Sequence, residues 1–185
     1  MKHSHSTIIL CIVALFAVAL VGPSRAVAAS AAEIDRNAQK ALQDLYAKSP
    51  SAKTMGEKAI GILVFPGIVK GGFIVGGQYG EGALIKDGKT VAYYNTIAAS
   101  YGLQAGLQKF GYALFFMTDS ALKYIDKSDG WEIGVGPSIV VVDVGAAASM
   151  TSTTAQSDIY AFFFDQKGLM AGLGLQGTKI TRLEK

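Results

Sequence analysis

Four clusters in this chain have the residue types and spacing to do chemistry. Ser120-Ala121-Leu122-Lys123 sets a hydroxyl three residues from an amine that could activate it as a nucleophile. The S-D-N and K-T-G elements that accompany such a pair are absent from the sequence. Gly172-Leu173-Gly174-Leu175-Gln176-Gly177 spells G-x-G-x-x-G, which lets a backbone approach a pyrophosphate. That use needs a helix opening at the glycines and an acid about 20 residues later, and only eight residues follow Gly177. The stretch from Gly82 to Thr90 ends in Gly88-Lys89-Thr90 like a phosphate loop, but five residues separate Gly82 from Gly88 where four are required. Asp126, Asp129 and Glu132 could form a carboxylate pair for glycoside hydrolysis or a calcium site, and a solvated turn suits them better.

The N-terminus narrows these options. Met1 to Thr7 is polar and carries Lys2, Ile8 to Val21 is apolar without a break, and Gly22-Pro23 ends the run. Ala26-Val27-Ala28 then offers the small residues that a signal peptidase reads, so residues 1–28 form a signal peptide with cleavage expected after Ala28, Ala29 and Ser30 being the near alternatives. The apolar run of 14 residues falls short of the roughly 20 that span a bilayer. Cys11 lies inside that run and is badly placed for lipid attachment.

Cleavage removes His3, His5 and Cys11, the whole of the chain's histidine and cysteine. A His-based triad, a cysteine nucleophile, a standard zinc site and any disulfide are then out of reach. The basic residues fall from 17 to 15 against 14 acidic ones, so the formal charge drops from +3 to +1. A near-neutral chain gives no broad polyanion-binding surface, and no nucleic-acid partner is expected. The 157 residues that remain are one domain's length. No cofactor, no metal and no catalytic residue is assigned, and the expected function class is a binding module.

The elements that would hold any site read clearly in the first third. Ile34, Ala38, Ala41, Leu42, Leu45 and Tyr46 make one apolar stripe on a helix from Ala32 to Lys48. Ser49-Pro50 reads as the cap and first residue of a second, short helix. From residue 60 onward the period becomes two, and 21 of the 22 glycines lie after residue 55. Strands are expected at Ile60–Phe65, Gly71–Tyr79, Gly82–Ile85, Thr90–Tyr94, Ser100–Leu107, Ala113–Met117, Trp131–Val135, Ser138–Val144, Ile159–Phe164 and Leu169–Leu175. Asp87-Gly88 and Asp165-Gln166-Lys167-Gly168 read as hairpin turns. Thr118-Asp119 caps a short helix, and Ser149 to Ser157 reads as an exposed loop. Glycine on one face of several strands points to a strongly curved sheet with close backbones. The fold class is α+β: N-terminal helices packed on a curved, glycine-rich, mainly antiparallel and partly barrel-like sheet.

Several segments together resemble a known family. They are Ala59-Ile60-Gly61-Ile62-Leu63-Val64-Phe65-Pro66, Lys70-Gly71-Gly72-Phe73-Ile74-Val75-Gly76-Gly77, Tyr79-Gly80-Glu81-Gly82 and Gly102-Leu103-Gln104-Ala105-Gly106. Thr118 to Leu122, Gly134-Val135-Gly136-Pro137, Ile159 to Phe162 and Lys167 to Gly177 follow in order. In this order and spacing they resemble the SYLF-domain family of lipid-binding proteins, its bacterial exported branch, from Ser51 to Leu183. The organisation is then a signal peptide (1–28), an amphipathic helix (29–50) and a SYLF-like domain (51–185). The resemblance implies phospholipid binding without catalysis. Eukaryotic relatives bind phosphoinositides and often carry a Src-homology-3 domain linked to actin. This chain has a leader and no second domain, so an actin role is not expected, and anionic lipids in general are the implied ligands.

The resemblance names no site residues. The charge pattern suggests Arg36, Lys40, Lys48, Lys53 and Lys58 on or beside the amphipathic helix, whose apolar stripe could enter a bilayer interface. Lys70, followed by paired glycines, is a second candidate for a phosphate. The expected function is a non-enzymatic, envelope-located protein, periplasmic or secreted, that binds anionic phospholipid membranes. The alternative is an envelope structural or interaction module that self-associates without lipid.

Overall fold

The computed structural model describes residues 29–72, 75–101, 106–126, 130–142, 157–168, 175 and 177–185. The signal peptide, the 149–156 part of the polar loop, Asp129 and most of the G-x-G-x-x-G run lie outside them. Helix α1 (Ala31–Lys48) begins where the Ser30 side chain accepts a hydrogen bond from the Glu33 amide at 3.2 Å. Helix α2 (Pro50–Gly56) follows at once, with Ser49 capping the Ala52 amide and Pro50 in its first turn. Both helices match the sequence reading.

Eight strands follow: β1 (Gly61–Gly72), β2 (Val75–Lys86), β3 (Lys89–Tyr101), β4 (Gly106–Phe116), β5 (Trp131–Glu132), β6 (Ile139–Val142), β7 (Ile159–Gly168) and β8 (Lys179–Leu183). Helix α3 (Asp119–Tyr124) lies between β4 and β5, capped by Thr118. The strands form one sheet in the order β5-β8-β3-β2-β1-β4-β7-β6, curled into a half-barrel. Every pairing is antiparallel except β6 with β7. Asp158 ties that parallel pair together: its carboxylate accepts from the Ser138 amide at 3.0 Å and the Ser138 hydroxyl at 2.9 Å. These bonds hold the Asp158 carboxyl below the ordinary carboxylate range. The α+β fold read from the sequence is the fold observed.

Several strand boundaries differ from those expected. The run from Ile60 does not stop at Pro66. It bulges there, with Phe65 opposite Tyr112 and Ile68 opposite Phe110, and continues to Gly72. Proline is tolerated in this central strand because a bulge needs no ladder donor. Gly71–Tyr79 is not one strand, since the chain reverses inside it and Gly72 faces Gly76. Ser100–Leu107 likewise spans the end of β3 and the start of β4. The expected hairpin at Asp165-Gln166-Lys167-Gly168 is a second bulge within β7, with Asp165 at φ 51° and Lys167 opposite Lys109. Trp131–Val135 is a strand only at Trp131–Glu132, after which the chain turns and the Trp131 indole N–H donates to the Val135 carbonyl at 3.0 Å. The Asp87-Gly88 hairpin is as expected, both residues having positive φ.

The sheet carries a core on each face. On one side Leu63, Phe65, Tyr94, Tyr112, Leu114 and Phe116 pack with α3 and Trp131. On the other, Val64, Phe115, Phe162 and Phe164 pack beneath Ile34, Ala38, Leu42 and Leu45 of α1 and Met55 of α2. Each such side chain contributes about 1.5–3 kcal/mol by leaving water. Glycines let backbones meet within this stack. A Cβ at Gly82 would overlap the Val64 carbonyl oxygen and the Phe65 ring. At Gly77 it would sit 3.7 Å from the Ala98 oxygen, an ordinary contact. Gly82→Ala is therefore expected to cost about 1–3 kcal/mol in urea unfolding followed by circular dichroism, as overpacked sites do. Gly77→Ala is expected to leave the midpoint unchanged or raise it.

Candidate functional site

The core on the α1 side covers only part of the sheet. Beyond the bulges at Pro66 and Asp165, one cross-strand row carries no helix. Lys167 faces Lys109, Lys109 faces Val69, Val69 faces Tyr79, Tyr79 faces Ile97, Ile97 faces Lys179 and Lys179 faces Glu132. All seven side chains are exposed. The next rows on the same face add Leu107, opposite Gly71, and Val75. Leu107 is 68% exposed, Val75 65% and Val69 50%. Opposed residues share a face, so five large apolar side chains form one patch. Two lysines flank it on one side and one on the other, with Glu132 outermost. At an inter-strand spacing of about 4.8 Å, the row from Lys167 to Lys179 spans about 24 Å.

A groove of about 550 Å³ joins this patch to α1. Val69, Tyr79 and Lys109 line its sheet side and Lys40 its helix side, and both bulges contribute through Pro66, Gly67 and Asp165. The Tyr79 hydroxyl donates to Glu81 Oε1 at 2.9 Å. Partial burial, then that carboxylate, push the Tyr79 phenol up to about 12. Asp44, Glu81 and Asp165 outnumber the two lysines around the groove. The groove lining is therefore net acidic, whereas the open row carries three lysines against Glu132.

The structure separates the residues chosen from sequence. Arg36, Lys40, Lys48, Lys53 and Lys58 are exposed on the helical layer. Lys40 pairs with Asp44 at 2.7 Å, an i,i+4 contact that lowers the Asp44 pKa. Lys48 pairs with Asp165 at 2.9 Å, which raises the Lys48 pKa. The apolar stripe of α1 is not free to enter a bilayer, because Ile34, Leu42 and Leu45 are buried against the sheet. Lys70 points to the other face, where it is buried opposite Gln78 and Gln108. The glycines after it pair with both β2 and β4, so their amides serve the ladder and do not form a phosphate nest. Of the six, only Lys40 lines the groove.

Sequence reasoning missed Val69, Tyr79, Ile97, Leu107, Lys109, Lys167 and Lys179. Each strand shows the period-two alternation, but the row exists only through register. Among the described residues of the remaining chemical motifs, Ser120 and Asp126 have structural partners. Ser120 is 3.1 Å from the Thr118 hydroxyl at the helix cap. Asp126 accepts from Tyr94 at 2.6 Å and from Arg182 at 3.2 Å. Among the described residues, no helix is long and apolar enough to cross a membrane.

Residues 97–185 match the family model described as Ysc84, Las17-binding protein actin regulator. This agrees with the SYLF resemblance over that part of the chain, and the family is one of binding domains. No curated protein matches the chain. The matched part holds Ile97, Leu107 and the three lysines of the row, whereas Val69, Val75 and Tyr79 precede it.

The patch does not serve the fold. Leu107→Ser and Val75→Ser are expected to shift unfolding free energy by no more than about 0.5 kcal/mol. Leu114→Ala, on the same strand as Leu107 but fully buried, is expected to cost about 2–5 kcal/mol. Urea titrations of the three variants check this.

Proposed function

We propose that this SYLF-domain chain is an exported, non-enzymatic protein of the cell envelope that docks on anionic phospholipid surfaces. The observation that carries the reading is the exposed row in which Val69, Tyr79 and Ile97 lie between Lys109 and Lys167 on one side and Lys179 on the other. Apolar side chains enter the interface while lysines meet phosphates around them. Removing about 200 Å² of this patch from water is worth about 5 kcal/mol. Three lysines at an anionic surface add about 3 kcal/mol. Association costs at least about 4 kcal/mol of rigid-body freedom, so the binding is modest, reversible and salt-sensitive. The leader supports the envelope location, since its order and size suit export.

A second reading is favoured by the family description, which names a Las17-binding actin regulator. On that reading the same patch takes a protein surface, either a partner's or a second copy's.

Co-sedimentation of the chain from Ala29 onward with vesicles separates the two. Pelleting is expected with anionic vesicles, not with zwitterionic ones, and is expected to fade as salt rises. Changing Lys109, Lys167 and Lys179 together to Ala is expected to weaken binding by about 100-fold. The Arg36→Ala, Lys53→Ala, Lys58→Ala variant is expected to bind as the parent does. If that variant loses binding and the first does not, the lipid face is the helical layer. A folded protein that pellets with no vesicle would overturn the membrane reading in favour of protein contacts.

A further inference from the structure

Ala29 and Lys185, far apart in sequence, meet on the Glu81 carboxylate. The backbone nitrogen of Ala29 donates to Glu81 Oε2 at 3.1 Å. Lys185 Nζ donates to the Ala29 carbonyl at 2.8 Å and reaches Glu81 Oε1 at 3.4 Å. The Tyr79 hydroxyl occupies the same Glu81 oxygen. Glu81 and Lys185 side chains are 10% and 15% exposed, the most enclosed ion pair among the described residues. The other described pairs lie on open surface, where such contacts contribute little. Ala29 is also the residue that follows the expected cleavage point.

We propose that cleavage between Ala28 and Ala29 completes this site, with the new α-ammonium of Ala29 as its ligand and Glu81 as its seat. An endopeptidase directs water onto the Ala28 carbonyl. The C–N bond breaks, residues 1–28 leave with a terminal carboxylate, and the nitrogen of Ala29 takes up protons to become an ammonium. A neutral amide N–H on Glu81 is thereby replaced by a full positive charge at the same atom. Charge-assisted bonds are about twice as strong as neutral ones. The exchange takes place in a partly enclosed position, where screening is weaker than on open surface.

The surroundings determine the sign of its pH dependence. Glu81 and Tyr79 face the nitrogen from β2, and Lys185 from the C-terminal end. Lys40 and Asp44 of α1, Lys109 of β4 and Asp165 of β7 line the adjoining groove. The amino end of α1 contributes its partial positive charge, with Glu33 in the first turn. Lys185 and the helix end oppose an ammonium, and Glu81, in direct contact at 3.1 Å, favours it. The seat requires the contact with Glu81 to win, so that the α-amino group of Ala29 titrates above its ordinary range near ~7.8. A raised value in the folded state gives stability that is complete below the unfolded value and is lost as pH rises through the folded one.

This inference rests on the export part of the proposed function and is independent of lipid binding. Three proteins test it: one beginning at Ala29 with a free amine, the same chain acetylated at Ala29, and one beginning at Val27. Competitive acetylation against a peptide of the same N-terminal sequence reads the amine. At pH 7 the Ala29 amine is expected to react about tenfold more slowly than the peptide, one pKa unit being a factor of ten. The free-amine protein is expected to melt higher than the other two at pH 7, with the difference gone by about pH 10. Both comparison proteins keep Glu81, so folding is not at risk from its loss. Glu81→Gln in the free-amine chain is expected to return the amine to peptide-like reactivity. An amine that titrates like the peptide, with equal melting of all three proteins, overturns the seat. N-terminal sequencing of the exported protein that finds a first residue other than Ala29 overturns the cleavage, whatever the vesicle result.

Discussion

The molecule depends on a two-sided demand placed on its central strands. From Gly61 to Phe65 in β1, and from Phe110 to Phe116 in β4, every residue is buried. A strand buried on both faces needs a layer on each side. One layer is α1 with α2, the other is α3 with Trp131, Leu175 and Ile180. Seating α1 on the sheet uses its whole apolar stripe. That removes the amphipathic helix from the inventory of free membrane-active surfaces and leaves its cations as a solvated outer face.

The same arrangement explains what stays uncovered. An 18-residue helix is about 27 Å long, and β1 to β4 run past the region that it covers. The bulges at Pro66 and Asp165 mark that boundary. On the far side the burial pattern in β2 becomes alternating, with Val75, Gly77 and Tyr79 exposed and Gln78 and Gly80 buried. Buried polar residues lie on the opposite face of this end: Lys70, Gln78, Gln108 and Thr178. The Gln78 amide donates to Thr178 at 3.4 Å. One end of the sheet is therefore an ordinary core on both sides. The other has polar groups on one face and an exposed apolar patch with flanking lysines on the other. Exposed apolar patches of this kind mark contact surfaces.

Helix boundaries were legible because caps act locally. Ser49 and Thr118 satisfy amides three residues away, and Pro50 fits only a first turn. The hairpin at Asp87-Gly88 was legible for the same reason, as two adjacent residues with positive φ define it. Bulges were misread as ends. Pro66 and Asp165-Gln166 look like terminators within one strand, and only the neighbouring strands supply the hydrogen bonds that carry the ladder past them. Strand reversals inside Gly71–Tyr79 and Ser100–Leu107 were missed because the alternation in the sequence runs on from one strand into the next, although β3 and β4 have β2 and β1 between them in the sheet.

By itself, the sequence determined the α+β class, the α1 stripe, the caps at Ser49 and Thr118, the glycine-dependent curvature and the family resemblance. All of these rest on residues near one another or on an ordered set of motifs. It also determined that a chain beginning at Ala29 has no histidine and no cysteine, which excludes whole classes of chemistry. Only the tertiary structure decided which cations stand together. Lys109, Lys167 and Lys179 come from three strands and meet Val69, Tyr79 and Ile97 only because register aligns them. Register is a cooperative property of the sheet: a one-residue slip would send each of these side chains to the other face. A row assembled in that way has no footprint in any single segment of the chain.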